Sequence, residues 1–211
     1  MSEPNPYVGA YPWLAGRAGI WREIARYVLA DAPGAAAVLE LGAGYCDFIN
    51  QVVAPMRIAF DLNPEMVKFA APGVDLRVRD CRGLPGIGDG TMDAVFASNF
   101  LEHFTVDEVA TLLRDVHRVL RPGGRLLLLQ PNYLRNPRHY WDDPTHKTAF
   151  HHVNLPGVLE RNGFRVLRMV PGLLPFSMKS RFPKIPLLVR WYLRSPLRPA
   201  AAQMYAVAER A

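Results

Sequence analysis

The chain has 211 residues, half of them apolar and 21% charged, which suits one folded domain with a full core and excludes a disordered or fibrous protein. Its two cysteines, Cys46 and Cys81, are too few for a disulfide framework or a cysteine-rich zinc site. No apolar run approaches the roughly 18 residues that cross a bilayer, and residues 1–12 lack the layout of a signal peptide, so we expect a cytoplasmic protein.

Strands and helices are predicted to alternate along the chain. An opening amphipathic helix is predicted over residues 13–29, and seven strands at 35–41, 57–61, 74–78, 93–97, 125–129, 164–170 and 203–208. Further helices are predicted at 47–53, at 64–70, after the capping-box sequence Thr105-Val106-Asp107-Glu108, and at 155–162. The pattern predicts an α/β fold: a Rossmann-like, doubly wound, seven-stranded and mostly parallel sheet with helices on both faces.

We expect a single domain made of four consecutive parts. Residues 1–34 form an N-terminal helix or lid, residues 35–170 a nucleoside-binding core, residues 171–200 a basic aromatic insertion, and residues 201–211 the final strand of the core sheet.

The most informative stretch is the first strand with the turn after it, Val38-Leu39-Glu40-Leu41-Gly42-Ala43-Gly44-Tyr45-Cys46-Asp47-Phe48. Two glycines one residue apart are typical of a tight loop at the end of a parallel strand, where a side chain would hold the backbone away from a ligand. Asp61 ends the next strand, 19 residues after Gly42, and is placed to accept hydrogen bonds from ribose hydroxyls. The alternative for Asp61 is a cap for the helix that starts at Pro64.

Asp47 indicates which nucleoside this loop binds. A pyrophosphate-binding loop would carry glycine three residues after Gly44, and Asp47 stands there instead. Because an acid beside a diphosphate is unfavourable, a nucleoside with a cationic group is favoured over a dinucleotide. A nucleotide-dependent dehydrogenase is disfavoured for the same reason.

From about Val38 to Val170 the chain resembles the class I S-adenosylmethionine (SAM)-dependent methyltransferases of the small-molecule or glycan type (methyltransferase type 11-like). The similar segments are the first motif at 40–44, the ribose-binding strand end at 60–63, the adenine contact at 79–81, the fourth motif at 93–103, and residues 120–126 before the fifth strand. The resemblance implies SAM as cofactor, no metal, and an antiparallel last strand. It implies cofactor contacts at Glu40, Gly42, Ala43, Gly44, Asp61, Leu62, Asp80, Cys81, Ser98 and Asn99.

The acceptor site is predicted after the fifth strand, in Asp142-Asp143-Pro144-Thr145-His146-Lys147. This stretch resembles the Asp/Thr-His element of small-molecule and glycan methyltransferases. It suggests His146 as the general base, oriented by Asp142 or Asp143. The alternatives are a polar loop whose histidine caps the helix near Val153, and, less favoured, a divalent metal site. His103 is expected to shape the pocket wall rather than to catalyse.

All of the excess positive charge lies in one segment. Between residues 171 and 200 there are six basic residues and no acid, and without them the chain has 19 basic and 19 acidic residues. Aromatic residues are interleaved with the basic ones over 173–199, which suggests contact with an anionic membrane surface or a lipid-linked substrate. We therefore expect the protein to lie in the cytoplasm, in part peripheral to the inner face of the membrane. The alternatives are a solvated insertion and, less favoured, nucleic-acid binding.

Together these observations predict a SAM-dependent methyltransferase that O-methylates a small molecule or a cell-envelope saccharide. One alternative is a methyltransferase of a quinone or lipid precursor. Another is a catalytically inactive SAM-binding regulatory or scaffold protein, which would bind the cofactor without turnover.

Overall fold

The structure is a computed structural model, which describes residues 16–175 and 185–211. Its helices are α1 (Arg17–Leu29), α2 (Val106–Val119), α3 (Asn154–Arg161) and α4 (Pro186–Arg194). Its strands are β1 (Ala37–Leu41), β2 (Met56–Asp61), β3 (Asp75–Val78), β4 (Met92–Ser98), β5 (Leu120–Pro131), β6 (Phe164–Pro175) and β7 (Ala201–Arg210). The first residues of the predicted opening helix, 13–15, and the basic residues Lys179, Arg181 and Lys184 lie outside the described residues.

The seven strands form one sheet in the order β3-β2-β1-β4-β5-β7-β6. The pairs among β1 to β5 are parallel, whereas β7 runs antiparallel to both β5 and β6. The mostly parallel sheet and the antiparallel last strand are therefore confirmed. The strand order reverses between β1 and β4, and ligands of open α/β sheets bind at the carboxyl ends of the strands beside such a reversal.

Alternate residues of the buried strand β1 point into two apolar layers. Leu39 packs in the layer that contains α2 and α3, and Val38 in the layer that contains α1. Leu193 of α4 joins the second layer. The predicted arrangement of helices on both faces of one sheet is confirmed. None of the helices within the described ranges is long and apolar enough to cross a membrane.

The predicted capping box opens α2. Thr105 Oγ1 accepts a hydrogen bond from the Glu108 backbone N–H, and the Glu108 carboxylate accepts one from the Thr105 N–H at 2.8 Å. Both groups satisfy amide protons that a helix start leaves without an intrahelical partner.

Two predicted helices on the β1–β2–β3 side are short 3₁₀ turns, at Ile49–Gln51 and Pro64–Phe69. After β1 the backbone takes positive φ at Gly42, Gly44 and Cys46. Because helical residues have negative φ, this part of the chain forms a tight loop and not helical turns. The fifth strand starts earlier than predicted, at Leu120. Leu120 pairs with Met92 of β4, and the next pair, Arg125 with Ala94, follows after an irregularity in the register.

Candidate functional site

The glycine loop after β1 is tied to the end of β2. The Gly44 N–H donates to Asp61 Oδ2 at 2.7 Å, and the Asn63 N–H donates to Asp61 Oδ1 at 2.8 Å. The Ala43 N–H donates to the Phe60 carbonyl at 3.0 Å. The structure thus places the predicted Asp61 carboxylate directly against the predicted glycine loop.

Gly42 and Gly44 serve different purposes in this loop. A Cβ on Gly42 would lie 2.5 Å from Cδ2 of Phe100, so glycine lets that ring, which follows β4, lie against the backbone. A Cβ on Gly44 would meet no atom of the described residues within 4 Å, and its φ of +50° is one that side chains disfavour. Gly44 therefore borders open space beside Asp61, which is the cradle that a nucleoside needs.

Glu40 lies beneath the loop and not in the open space. Its carboxylate is buried and accepts a hydrogen bond from the Ile49 N–H at 3.0 Å. Burial, together with the charges of Asp47 and Asp61, raises the pKa of Glu40 well above its usual range. In this structure Glu40 holds the 3₁₀ turn after the loop.

Asp47 is paired with a cation that the sequence argument did not include. Arg17, at the start of α1, donates from Nε to Asp47 Oδ2 at 2.8 Å, and its guanidinium lies 5.1 Å from the centre of the Tyr45 ring. Burial raises the pKa of Asp47, and the ion pair with Arg17 opposes that rise. The pair connects α1 to the glycine loop and offsets the negative charge on which the argument against a diphosphate depended.

The other predicted cofactor residues lie at the same edge of the sheet. Leu62 follows Asp61 and is half-exposed, and Ser98 ends β4. Asn99 accepts a hydrogen bond from Gln203 Nε2 at 2.7 Å. At the end of β3, Cys81 is buried and the Asp80 carboxylate accepts from the Arg82 backbone N–H at 2.9 Å and from Nε at 2.7 Å.

A second group of side chains forms just beyond β4 and consists of Glu102, His103 and His146. One ligand atom of each lies within 4.8 Å of the others. Glu102 is fully buried, and neither of its carboxylate oxygens has a hydrogen-bond partner within the described residues. Burial raises the pKa of Glu102 to about 8. Burial and the neighbouring His146 ring lower the pKa of His103.

The hydrogen bonds of Asp142 and of His146 Nδ1 go to other partners than the predicted ones. Asp142 is exposed and accepts from His139 Nδ1 at 2.8 Å, whereas Asp143 accepts from the Thr145 backbone N–H at 2.9 Å. His146 instead donates through Nδ1 to the Tyr140 carbonyl, and its Nε2 lies 4.0 Å from Glu102 Oε1. The acid that faces His146 is therefore Glu102.

Sequence reasoning treated Glu102 only as part of a motif. The signal that was available is an acid beside a histidine in the apolar stretch Phe100-Leu101-Glu102-His103-Phe104, where a carboxylate is costly unless it has a partner. The helix-capping role considered for His146 belongs to His151, whose Nδ1 accepts from the Asn154 N–H at 3.1 Å near the start of α3.

Known proteins resemble this chain both in the sequence around the glycine loop and in the fold. A family model described as a methyltransferase domain matches residues 39–128, which include the glycine loop, Asp61 and Glu102. A solved SAM-dependent methyltransferase from Archaeoglobus fulgidus superposes with a TM-score of 0.68 over 92% of this chain and 94% of that one, at 20% identity. Over residues 39–128 the chain thus matches a methyltransferase domain, and its fold is that of solved SAM-dependent methyltransferases.

The chain matches curated methyltransferases over only part of their own length. A ubiquinone/menaquinone biosynthesis C-methyltransferase of Desulfotalea psychrophila is 35% identical over 52% of this chain and 46% of the relative. A malonyl-[acyl-carrier protein] O-methyltransferase of Dechloromonas aromatica is 32% identical over 66% of this chain and 51% of the relative. The chain thus spans about half the length of these two relatives.

The residues at the glycine loop fit the cofactor of the class. SAM carries a ribose, a cationic sulfonium and an amino-acid group. The structure offers a carboxylate at Asp61, open space beside Gly44, and two further acids, Glu40 and Asp47, within electrostatic reach of each other. Asp61 is the carboxylate beside the open space, because Glu40 lies beneath the loop and Asp47 is paired with Arg17.

Proposed function

We propose that this methyltransferase transfers a methyl group from SAM to an oxygen of a small-molecule acceptor. The observation that carries the proposal is the hydrogen bond from the Gly44 N–H to Asp61, which joins the glycine loop and the ribose-binding carboxylate into one site. When bound, SAM supplies an electrophilic methyl group on a sulfonium. Asp61 binds the ribose, and the loop from Gly42 to Gly44 lets the backbone approach the rest of the cofactor.

The acceptor is proposed to bind beside Glu102 and His146. Both side chains follow the carboxyl ends of central strands, and Phe100 connects this region to the glycine loop by lying against Gly42. His146 as the base that accepts the acceptor's proton stays a prediction. Its Nδ1–H is held by the Tyr140 carbonyl, which leaves Nε2 as the only atom for that role.

A phenolic or enolic precursor, such as that of a quinone, is the acceptor class that the names of the relatives favour over a saccharide. Alignment of acceptor oxygen, methyl carbon and sulfur supplies the larger part of the rate, about 7–11 kcal/mol at best. Removal of the acceptor's proton adds about 10²–10⁴-fold.

The test is transfer of labelled methyl from SAM to fractionated cell extract, followed by identification of the labelled product. A labelled small molecule that forms with the wild-type chain and not with Asp61→Ala supports the proposal. SAM binding without any labelled product in any fraction supports the scaffold alternative instead.

We further propose that α4 contacts an anionic lipid surface, which would bring a lipid-soluble acceptor to the site. Leu187 is 57% exposed and Trp191 is 70% exposed on this helix. Arg190 and Arg194 border an open groove of about 450 Å³ beside Trp191. The guanidinium of Arg190 is paired with the Glu23 carboxylate. Of the two arginines that border the groove, Arg194 is therefore the one proposed to contact lipid phosphate.

Sedimentation with vesicles tests this contact. We expect binding to vesicles rich in anionic lipid that falls as salt rises, since exposed charges are screened beyond about 8 Å at physiological ionic strength. Trp191→Ala with Arg194→Glu should abolish it, while SAM affinity stays unchanged. Equal binding to neutral and anionic vesicles at low salt would contradict the proposal.

A further inference from the structure

Glu102 is a buried acid without a hydrogen bond to its carboxylate. The side chain is fully buried, and neither oxygen has a hydrogen-bond partner among residues 16–175 and 185–211. Burying a carboxylate without a partner costs several kcal/mol, on the order of a large fraction of a domain's stability. A bound cation would offset this cost, and the two histidines indicate where it would sit.

The proton on the ring of His103 is fixed by its neighbours. Thr145 donates its hydroxyl proton to Asp143 Oδ1 at 2.5 Å, so Thr145 Oγ1 accepts from His103 Nδ1 at 2.9 Å. The His103 Nε2 then points toward Glu102 Oε1, at 4.0 Å.

His146 is held in the same way from the other side. Its Nδ1–H donates to the Tyr140 carbonyl, and its Nε2 lies 4.0 Å from the same carboxylate oxygen. Metal-binding histidines have this arrangement: one ring nitrogen donates to a carbonyl or a carboxylate-linked group, and the other faces the ion. The carbonyl of Tyr140 and the Thr145–Asp143 pair serve here as those outer partners.

The spacing fits an ion better than it fits a direct hydrogen bond. A separation of 4.0 Å is too long for a hydrogen bond between Nε2 and Oε1. Ligand atoms bonded at about 2.0–2.2 Å to one tetrahedral ion lie about 3.3–3.6 Å apart, so each separation must close by about half an ångström when the ion binds. Both histidines have this separation from one oxygen, so a single position lies between all three side chains.

We propose that Glu102, His103 and His146 bind a divalent transition-metal ion of the Zn²⁺, Co²⁺ or Fe²⁺ class. Two imidazoles and one carboxylate suit such ions, whereas Mg²⁺ prefers oxygen ligands. Three protein ligands leave coordination positions open, and an acceptor oxygen is the ligand that would take one. That last step rests on the proposed function, and in it His146 is a ligand and not the base.

Titration of chelator-treated protein with Co²⁺, followed by visible absorption, tests the site without any turnover. We expect one Co²⁺ per chain with ligand-field bands, competition by Zn²⁺, and no competition by Mg²⁺. Glu102→Gln and His146→Ala should each weaken Co²⁺ binding at least tenfold. His139→Ala is the matched control, because that exposed histidine pairs with Asp142 outside the cluster and should bind Co²⁺ like the wild type.

Thermal unfolding of the same samples separates loss of the site from loss of the fold. Glu102→Gln keeps the shape of the side chain, so its melting should remain cooperative, and Co²⁺ should raise the Tm of the wild type but not of this variant. Wild-type protein that binds no stoichiometric Co²⁺, or binds it as tightly as Glu102→Gln does, overturns the proposal and leaves Glu102 as a buried neutral acid. SAM calorimetry on the same samples reports on the proposed function independently of the metal.

Discussion

Replacing Asp61 with alanine removes one hydrogen bond to the glycine loop and one to the turn after β2. Asp61 accepts from the Gly44 and Asn63 backbone N–H groups at 2.7 and 2.8 Å. Hydrogen bonds to a charged acceptor contribute about 1.5–3 kcal/mol each in favourable settings. The site is partly exposed, so water replaces part of what is lost, and we expect the free energy of unfolding to fall by about 1–3 kcal/mol.

The same change should weaken SAM binding more than it weakens the fold elsewhere. The wild-type chain is expected to bind SAM in the low-micromolar range, about −8 kcal/mol. Loss of the ribose acceptor and of the loop connection should raise Kd by at least about fivefold, which corresponds to more than 1 kcal/mol. Asp61→Asn retains one carbonyl oxygen and should fall between the alanine variant and the wild type.

Isothermal calorimetry with SAM and with its demethylated product measures the effect, and urea unfolding measures the stability. Asp89→Ala is the control, because Asp89 is exposed and its partner Arg118 lies away from the loop. An Asp61→Ala chain that binds SAM with unchanged Kd would remove Asp61 from the site and refute the reasoning.

Three further predictions concern stability and reactivity. Thr105→Ala should lower the free energy of unfolding in urea by about 1 kcal/mol through loss of the helix cap, while Thr105→Ser should retain it; equal loss in both would contradict the capping role. Arg190 and Arg26 hold the pKa of Glu23 below its usual value, in opposition to burial. The stability that Glu23 contributes is therefore present at neutral pH and is lost as the pH falls through its lowered pKa. Accordingly, Glu23→Gln should be less stable than the wild type at pH 7, the difference should shrink as the medium becomes acidic, and a pH-independent difference would contradict the ion pair. Burial raises the pKa of Cys46 and of Cys81 to about 12, so neither thiol should be alkylated in the folded chain at pH 8, which peptide mass spectrometry can measure; rapid labelling of Cys46 would contradict its burial.

The features predicted correctly from the sequence are the ends of β1 and β2, the glycine loop and the start of α2. Apolar runs that end in Glu40-Leu41-Gly42 and Phe60-Asp61 fixed the two strands and the loop between them, because parallel strands bring their carboxyl ends to one edge. The helix start at Thr105 was equally local. The prediction of a helix at 47–53 was wrong. The apolar residues there pack in the core from a loop and a short 3₁₀ turn, which hydrophobic periodicity does not distinguish from a helix.

The partners of charged side chains were beyond the sequence. Arg17 and Asp47 are 30 residues apart, and Glu102 and His146 meet only because two connections converge after β4 and β5. Asp142 is close to His146 along the chain, yet its carboxylate turns to His139. The hydrogen-bond partner of Asp142 could therefore not be predicted from its distance to His146 along the chain.

The pairing of Pro175 with Ala201 has a consequence for how this protein can change. The chain leaves the sheet at the first of these residues and returns beside it, so the two ends of the intervening segment are fixed side by side in the sheet. Within that segment Leu193 packs in the core and Arg190 pairs with Glu23 of α1, so a segment exchanged for this one must supply both contacts. The glycine loop and Asp61 belong to other connections, and an exchange that keeps those two contacts should leave cofactor binding unchanged.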